Sequence, residues 1–102
     1  MRFLLTFWMI VAGSLAGAED LSALKAPGVV ALMRHALAPG TGDPAAFRLR
    51  DCATQRNLDA RGRAQAQETG AALRAAGVTF DHVWSSRWCR ALDTAALMEM
   101  GT

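Results

Sequence analysis

The sequence is poor in the residues that bind metal ions and in the glycine-rich loops that bind nucleotides. It contains two histidines and two cysteines, and these four residues lack the spacing of a zinc site. No glycine-rich nucleotide-binding motif is present. We therefore expect neither a metal ion nor a cofactor.

An excess of charge of either sign is also missing. Eleven lysines and arginines stand against nine acidic residues, which gives a formal net charge of +2. A balance this close argues against broad electrostatic attraction to nucleic acid or to anionic lipid. We expect no nucleic-acid partner.

Long apolar runs are absent beyond the first eighteen residues. That segment has a positive start at Arg2, an apolar stretch from Phe3 to Ala12 and a small-residue end at 16–18, which is the layout of a cleavable secretory signal. Its apolar stretch is shorter than the roughly 20 residues that a spanning helix needs. We predict a signal peptide over 1–18, a secreted or periplasmic protein and no membrane contact after cleavage. The alternative is an uncleaved anchor.

The only two cysteines, Cys52 and Cys89, both lie in the predicted exported part. An even cysteine count in an oxidising compartment predicts a disulfide. Such a bond would attach the long loop that contains Cys52 to the segment around Cys89. Two unpaired thiols are the competing interpretation.

Two apolar runs, 29–33 and 82–84, are typical of strands that are covered on both faces of a parallel sheet. An amphipathic segment between them, ended by Gly77, predicts a helix. The alternation of strand and helix indicates an α/β fold with right-handed crossovers. The predicted elements, in chain order, are a short helix over 21–25 capped by Asp20, a strand over 29–34, a loop over 37–56, a helix from Asn57 or Asp59 to Ala76, a strand over 82–85, and a helix from Trp88 or Arg90 to Met100.

Three motifs lie at the boundaries of these elements. They are Arg34-His35-Ala36 at the end of the first strand, the segment from Asn57 to Ala66 at the start of the helix, and the segment from Ser85 to Ala95 after the second strand. Their order resembles the histidine phosphatase superfamily, the phosphoglycerate-mutase-like proteins. The first motif of that family is Arg-His-Gly, its helix start is Leu-Thr-x-x-Gly-x-x-Gln-Ala, and its second motif is Ser-Ser-x-x-x-Arg-Ala-x-x-Thr-Ala. The resemblance covers roughly residues 28–98, and Ala36 in place of glycine departs from it.

The resemblance implies a phosphoglycerate-mutase-like fold, a three-layer α/β/α arrangement around a parallel sheet. It also implies that residues 19–102 form the amino-terminal part of a histidine phosphatase domain. Two family elements, a second histidine and an acidic general acid, lie beyond the second motif in the family and have no match here. We therefore expect the fold to be partial, a truncated one, and expect this chain to lack normal turnover.

The chemistry implied is metal-independent hydrolysis of a small phosphomonoester. His35 would attack phosphorus and form a phosphohistidine, while Arg34 and Arg90 would bind the phosphoryl oxygens. Thr41 corresponds to a position where the family often places a phosphate-binding hydroxyl or amide. Two further interpretations stay open: a catalytically inactive phosphate-binding module, and a small disulfide-linked structural protein in which Arg34-His35 is a coincidence.

Overall fold

The computed structural model describes residues 21–101. Its helices are α1, Ala60–Ala75, and α2, Cys89–Met98, with short 3-10 turns at Ala23–Lys25 and Cys52–Thr54. The predicted signal peptide and the predicted Asp20 cap lie outside the described residues. In the described part, neither helix is long and apolar enough to cross a membrane.

The bounds of α1 follow from local signals in the sequence. The Asp59 carboxylate accepts a hydrogen bond of 2.8 Å from the backbone N–H of Gly62, one of the donors that a helix start leaves unpaired. The helix ends at Ala75, and Gly77 follows with φ of +77°, a conformation that costs glycine little. The predicted helix is confirmed in this region.

The inner face of α1 carries small residues that permit close approach. Gly62, Ala66, Gly70 and Leu73 are buried. A methyl group at Gly62 would overlap the carbonyl oxygen of Leu37, and one at Gly70 would overlap that of Met98. This face therefore lies against the chain after His35 and against the end of α2.

Side chains from elsewhere in the chain satisfy both ends of α2. At its start, Trp88 makes no side-chain cap, and the N–H of Cys89 donates to Oε1 of Gln55 over 2.8 Å. At its end, Nη1 of Arg74 donates to the carbonyl of Met98. The Ser85 hydroxyl, shortly before the helix, donates to the neighbouring carbonyl of Ser86 and does not cap α2.

The predicted α/β fold with a parallel sheet is also wrong. Within residues 21–101 there is no strand, and the only ladder contact is an isolated bridge between Arg48 and Asp51. The two apolar runs expected to be strands do not pair with each other, and Leu32 is 95% exposed. A strand needs a neighbouring strand to pair with its N–H and C=O groups. An apolar run indicates that its residues prefer to be buried, but it does not specify which segment would pair with them.

The core is small and is formed mainly by the helices. Ala66 and Leu73 of α1 and Met98 of α2 pack with Val78 and with Ala36. Because Ala36 belongs to this core, the chain immediately after His35 is fixed beneath the two helices. This contact positions the candidate site.

Candidate functional site

The backbone after His35 is hydrogen-bonded to both helices. The N–H of Ala36 donates to Oγ1 of Thr94 over 2.9 Å, and that hydroxyl donates to the carbonyl of Arg90 over 2.7 Å. The N–H of Leu37 donates to Oε1 of Gln65 over 2.8 Å. Ala36, the departure from the family's glycine, is 5% exposed and packs in the core.

The ring of His35 is half-buried and is oriented by its own segment. Its Nδ1 lies 2.7 Å from the carbonyl oxygen of Ala36. A carbonyl oxygen can only accept, so Nδ1 carries the proton in this contact. In the neutral imidazole, Nε2 then holds the lone pair, which is the form that a nucleophile needs.

Two adjoining pockets share Arg34, His35, Ala36 and Gln65, and each has a volume of about 360 Å³. One extends along α1 to Thr69, and the other extends under the loop to Gly40 and Arg56. Volumes of this size are in the range of small-molecule sites. We call the two together the His35 cavity.

Arg90 has a different environment from Arg34. Its Nη1 donates to Oδ1 of Asp43 over 3.0 Å and to the carbonyl of Arg56 over 3.2 Å. The guanidinium carbon lies 4.5 Å from the centre of the Trp88 ring, within the range of a cation–π contact. Arg90 is not among the described residues that line the His35 cavity.

Asp43 connects two arginines. Oδ1 of Asp43 accepts from Nη1 of Arg90 and, over 2.9 Å, from the backbone N–H of Arg56. The pKa of the Asp43 carboxyl lies below its usual value, chiefly because of the backbone hydrogen bond from Arg56. Burial opposes this shift, and the hydrogen bond and charge of Arg90 and the charge of Arg56 lower the pKa further. The carboxylate is therefore ionised at neutral pH and offsets the charge of Arg90.

Arg56 spans the base of the loop. Its Nε donates to the carbonyl of Gly42 over 2.8 Å, and its Nη1 donates to the carbonyl of Ala38. These contacts bring its side chain to the edge of the His35 cavity. The backbone and side chain of Arg56 together fix both ends of the 38–43 segment.

Cys52 and Cys89 are joined in a disulfide with a Cα–Cα distance of 5.7 Å. The bond links the loop to the first residue of α2. Next to it, the ring of Phe47 packs on Trp88 with centroids 4.8 Å apart, and Nε2 of Gln55 donates to the carbonyl of Arg48 over 2.7 Å. The disulfide expected from the cysteine count is present, and it fixes the loop beside the cavity.

The other histidine of the sequence, His82, is not among the residues that line the His35 cavity. Its exposed ring stacks on Trp84 with centroids 5.6 Å apart and an interplanar angle of 4°. Among residues 21–101, no group of three histidine, cysteine or acidic side chains is arranged to hold a metal ion.

Residues 30–102 match the family model of the Histidine phosphatase superfamily (branch 1). The chain belongs to the histidine phosphatase superfamily. No curated protein and no solved structure gives a significant match. The family expected from the three motifs is confirmed over most of the chain.

In this member of the superfamily, the structure brings only some of the predicted site residues together. Arg34 and His35 share the cavity. Thr41 is exposed in the loop and does not line it. Direct contacts of Arg90 and Thr41 with phosphate stay predictions.

Sequence reasoning did not find Arg56, Asp43 or Gln65. No family motif quoted above gives a role to Arg56 or Asp43, and their contacts join residues 13 to 47 positions apart. Gln65 lies in the Gly-x-x-Gln-Ala motif, whose glutamine could have been expected to hold the backbone after the histidine. The usable signal for Arg56 was its place at the end of a long loop, immediately before the cap of α1.

Proposed function

We propose that this member of the superfamily acts on small phosphomonoesters with His35 as the nucleophile, and that its turnover is slow because the described residues lining the cavity include no carboxylate to protonate the leaving group. The observation that carries the proposal is the orientation of His35: Nδ1 is engaged by the carbonyl of Ala36, and the ring lies in a cavity that also contains Arg34. A neutral imidazole with a free Nε2 in the same cavity as an arginine cation is suited to attack on a phosphoryl group.

In the first step, the lone pair of Nε2 forms an N–P bond while the ester P–O bond breaks. The leaving oxygen takes the bonding electrons and a proton from solvent water, and phosphohistidine remains. In the second step, a water oxygen forms a new P–O bond as the P–N bond breaks and the water loses a proton. The products are an alcohol, orthophosphate and neutral His35.

Arginine cations suffice for charge stabilisation in this proposal, so the reaction needs no metal ion. Arg34 binds phosphoryl oxygens directly, since a guanidinium presents paired donors that match them. Arg90 contributes by holding Asp43 and the backbone of Arg56 in place. Its hydrogen bonds to Asp43 and Arg56 support that role.

We further propose that the protein acts outside the cytosol, in the periplasm or as a secreted protein, with residues 1–18 as a signal peptide. The Cys52–Cys89 bond supports this location, because disulfides persist in oxidising compartments and are rare in the cytosol.

A phosphate-binding module without turnover is the second candidate. The described residues that line the His35 cavity supply arginine, histidine, an amide, a hydroxyl and apolar groups, and no carboxylate. A site with cations but without an acid would bind phosphate and would protonate a leaving group poorly.

One experiment tests both the enzyme and the binding module. The full chain is incubated with a ³²P-labelled phosphomonoester, and the reaction is then quenched with alkali and analysed by peptide mapping. Hydrolysis predicts an alkali-stable, acid-labile label on His35 together with slow release of phosphate. His35→Gln should abolish the label, whereas His82→Gln, the matched control at the exposed second histidine, should keep it.

Protection from thermal unfolding by phosphate without any label would select the binding module over the enzyme. Absence of both label and protection would reject both candidates. A label that persists in His35→Gln would show that His35 is not the nucleophile.

A further inference from the structure

We propose that Arg56 is a second anion-binding side chain of the His35 cavity, so that a dianionic phosphoryl group is bound between Arg34 and Arg56. The inference rests on the proposed function and extends it to substrate selection. A site with a surplus of positive charge favours a terminal phosphomonoester over a phosphodiester, which has a single negative charge.

The first support is the placement of Arg56. It lines the same pocket as Arg34 and His35. Its side chain is fixed there by hydrogen bonds to the carbonyls of Gly42 and Ala38, and its backbone N–H is fixed by Asp43. A group that is already held needs little ordering when a ligand arrives, which favours binding.

The second support is donor capacity. A guanidinium has five N–H donors, and the two carbonyl contacts use one on Nε and one on Nη1. Within the described part of the chain, the remaining three donate no hydrogen bond. Because carbonyl oxygens carry no net charge, these contacts orient the guanidinium and leave its positive charge available.

The third support is the local balance of charge. Asp43 forms an ion pair with Arg90, and both side chains are largely buried, at 9% and 11% exposure. No acidic side chain of residues 21–101 lies within ion-pair distance of Arg34 or Arg56. The charge of Asp43 attracts both Arg90 and, more weakly, Arg56, so three arginines (Arg34, Arg56 and Arg90) stand against one carboxylate and the region keeps a surplus of two positive charges.

Arg56 could instead serve only to hold the loop. The dependence of binding on ligand charge separates the two roles. If Arg56 is a ligand, its removal weakens binding of a dianion more than binding of a monoanion, because Coulomb attraction scales with ligand charge. A purely structural role would weaken both alike.

The experiment is calorimetric titration of the full chain at low salt and pH 8, with orthophosphate as the dianion and dimethyl phosphate as the monoanion. The variants are Arg56→Gln, Arg56→Lys and Arg34→Gln. Arg50→Gln is the matched control, since Arg50 is an exposed arginine of the same loop. Melting of each variant without ligand reports its fold.

We expect Arg56→Gln to weaken orthophosphate binding about tenfold or more, the usual effect of losing a hydrogen bond to a charged group. The loss for dimethyl phosphate should be smaller. Arg56→Lys should recover part of the affinity because it restores the charge, and Arg50→Gln should bind as the wild type does.

Three results would contradict the inference. If Arg34→Gln loses orthophosphate while both Arg56 variants bind it normally, Arg56 is not a ligand and the proposed function stands. If both Arg56 variants lose the two anions equally, Arg56 only holds the loop. If the wild-type chain binds neither anion, the proposed function and this inference fail together.

Discussion

The chain is held very differently on the two sides of His35. Before it, residues 29–33 make no backbone hydrogen bond to another described segment, and Leu32 is almost fully exposed. After it, Ala36 is buried, and the loop as far as Arg56 is attached by a disulfide and by the Asp43–Arg90 ion pair. The position of His35 is therefore set by contacts that follow it in the sequence.

The difference shows what orders a loop without a core of its own. Most residues from 39 to 54 are exposed, so apolar burial cannot hold them. Specific links do: the Cys52–Cys89 bond, the Gln55 side chain between Arg48 and Cys89, and the two carbonyl contacts of Arg56. The apolar run 29–33 has the burial preference without such links.

The largest effect is expected from removing the disulfide. The Cys52→Ala, Cys89→Ala double variant frees a loop closed over 37 positions, and loop-closure entropy for that length predicts a loss of about 4 kcal/mol in the free energy of unfolding. Denaturant titration with and without phosphate measures it, and phosphate protection should weaken as well.

Reductant supplies the control for this prediction. It should lower the stability of the wild-type chain by a similar amount and should leave the double variant unchanged. A loss below about 1 kcal/mol would mean that the polar contacts hold the loop without the bond.

The variants Gly62→Ala and Gly70→Ala test two contacts of α1 separately: its contact with the chain after His35 and its contact with the end of α2. Each methyl group would overlap a backbone carbonyl, of Leu37 or of Met98, so each variant should lose about 1–3 kcal/mol of stability. Only Gly62→Ala displaces the chain after His35 and should also weaken phosphate binding. Gln67→Ala on the exposed face of α1 is the control.

Equal phosphate affinity in the two glycine variants would contradict this division. It would mean that the contact of α1 with Leu37 does not position the cavity. Stability near that of the wild type in both variants would show that the helices separate easily and that close packing is not what orders this region.

Local features of the sequence were enough to predict α1 and the disulfide. Asp59 and Gly77 mark the ends of the helix through their own backbone chemistry, and two cysteines allow only one pairing. The predicted strands failed because a strand depends on a partner that its own residues do not specify. The apolar pattern at 29–33 and 82–84 indicated that these residues prefer to be buried, but it did not specify which strand each would pair with.

The site shows the same limit. Arg34 and His35 are adjacent in sequence, so any conformation keeps them close, and the family motif points to both. The partner of Arg90 is Asp43, 47 positions away, and a motif contains no information about that pairing. Arg56 acquires its place in the cavity only through the carbonyls of the loop before it.

The smallest effect on stability is expected from a substitution in the segment before His35. This substitution tests the contrast between the two sides of His35 most directly. Leu32→Ala should change the free energy of unfolding by less than about 0.5 kcal/mol, because an exposed side chain loses little on truncation. The same substitution at Leu73, which is 6% exposed in the core, should cost about 2–5 kcal/mol. Chemical denaturation of both variants gives the two numbers under identical conditions. Similar losses at the two positions would show that the 29–33 segment is buried in solution, and the contrast between the two sides of His35 would then be lost.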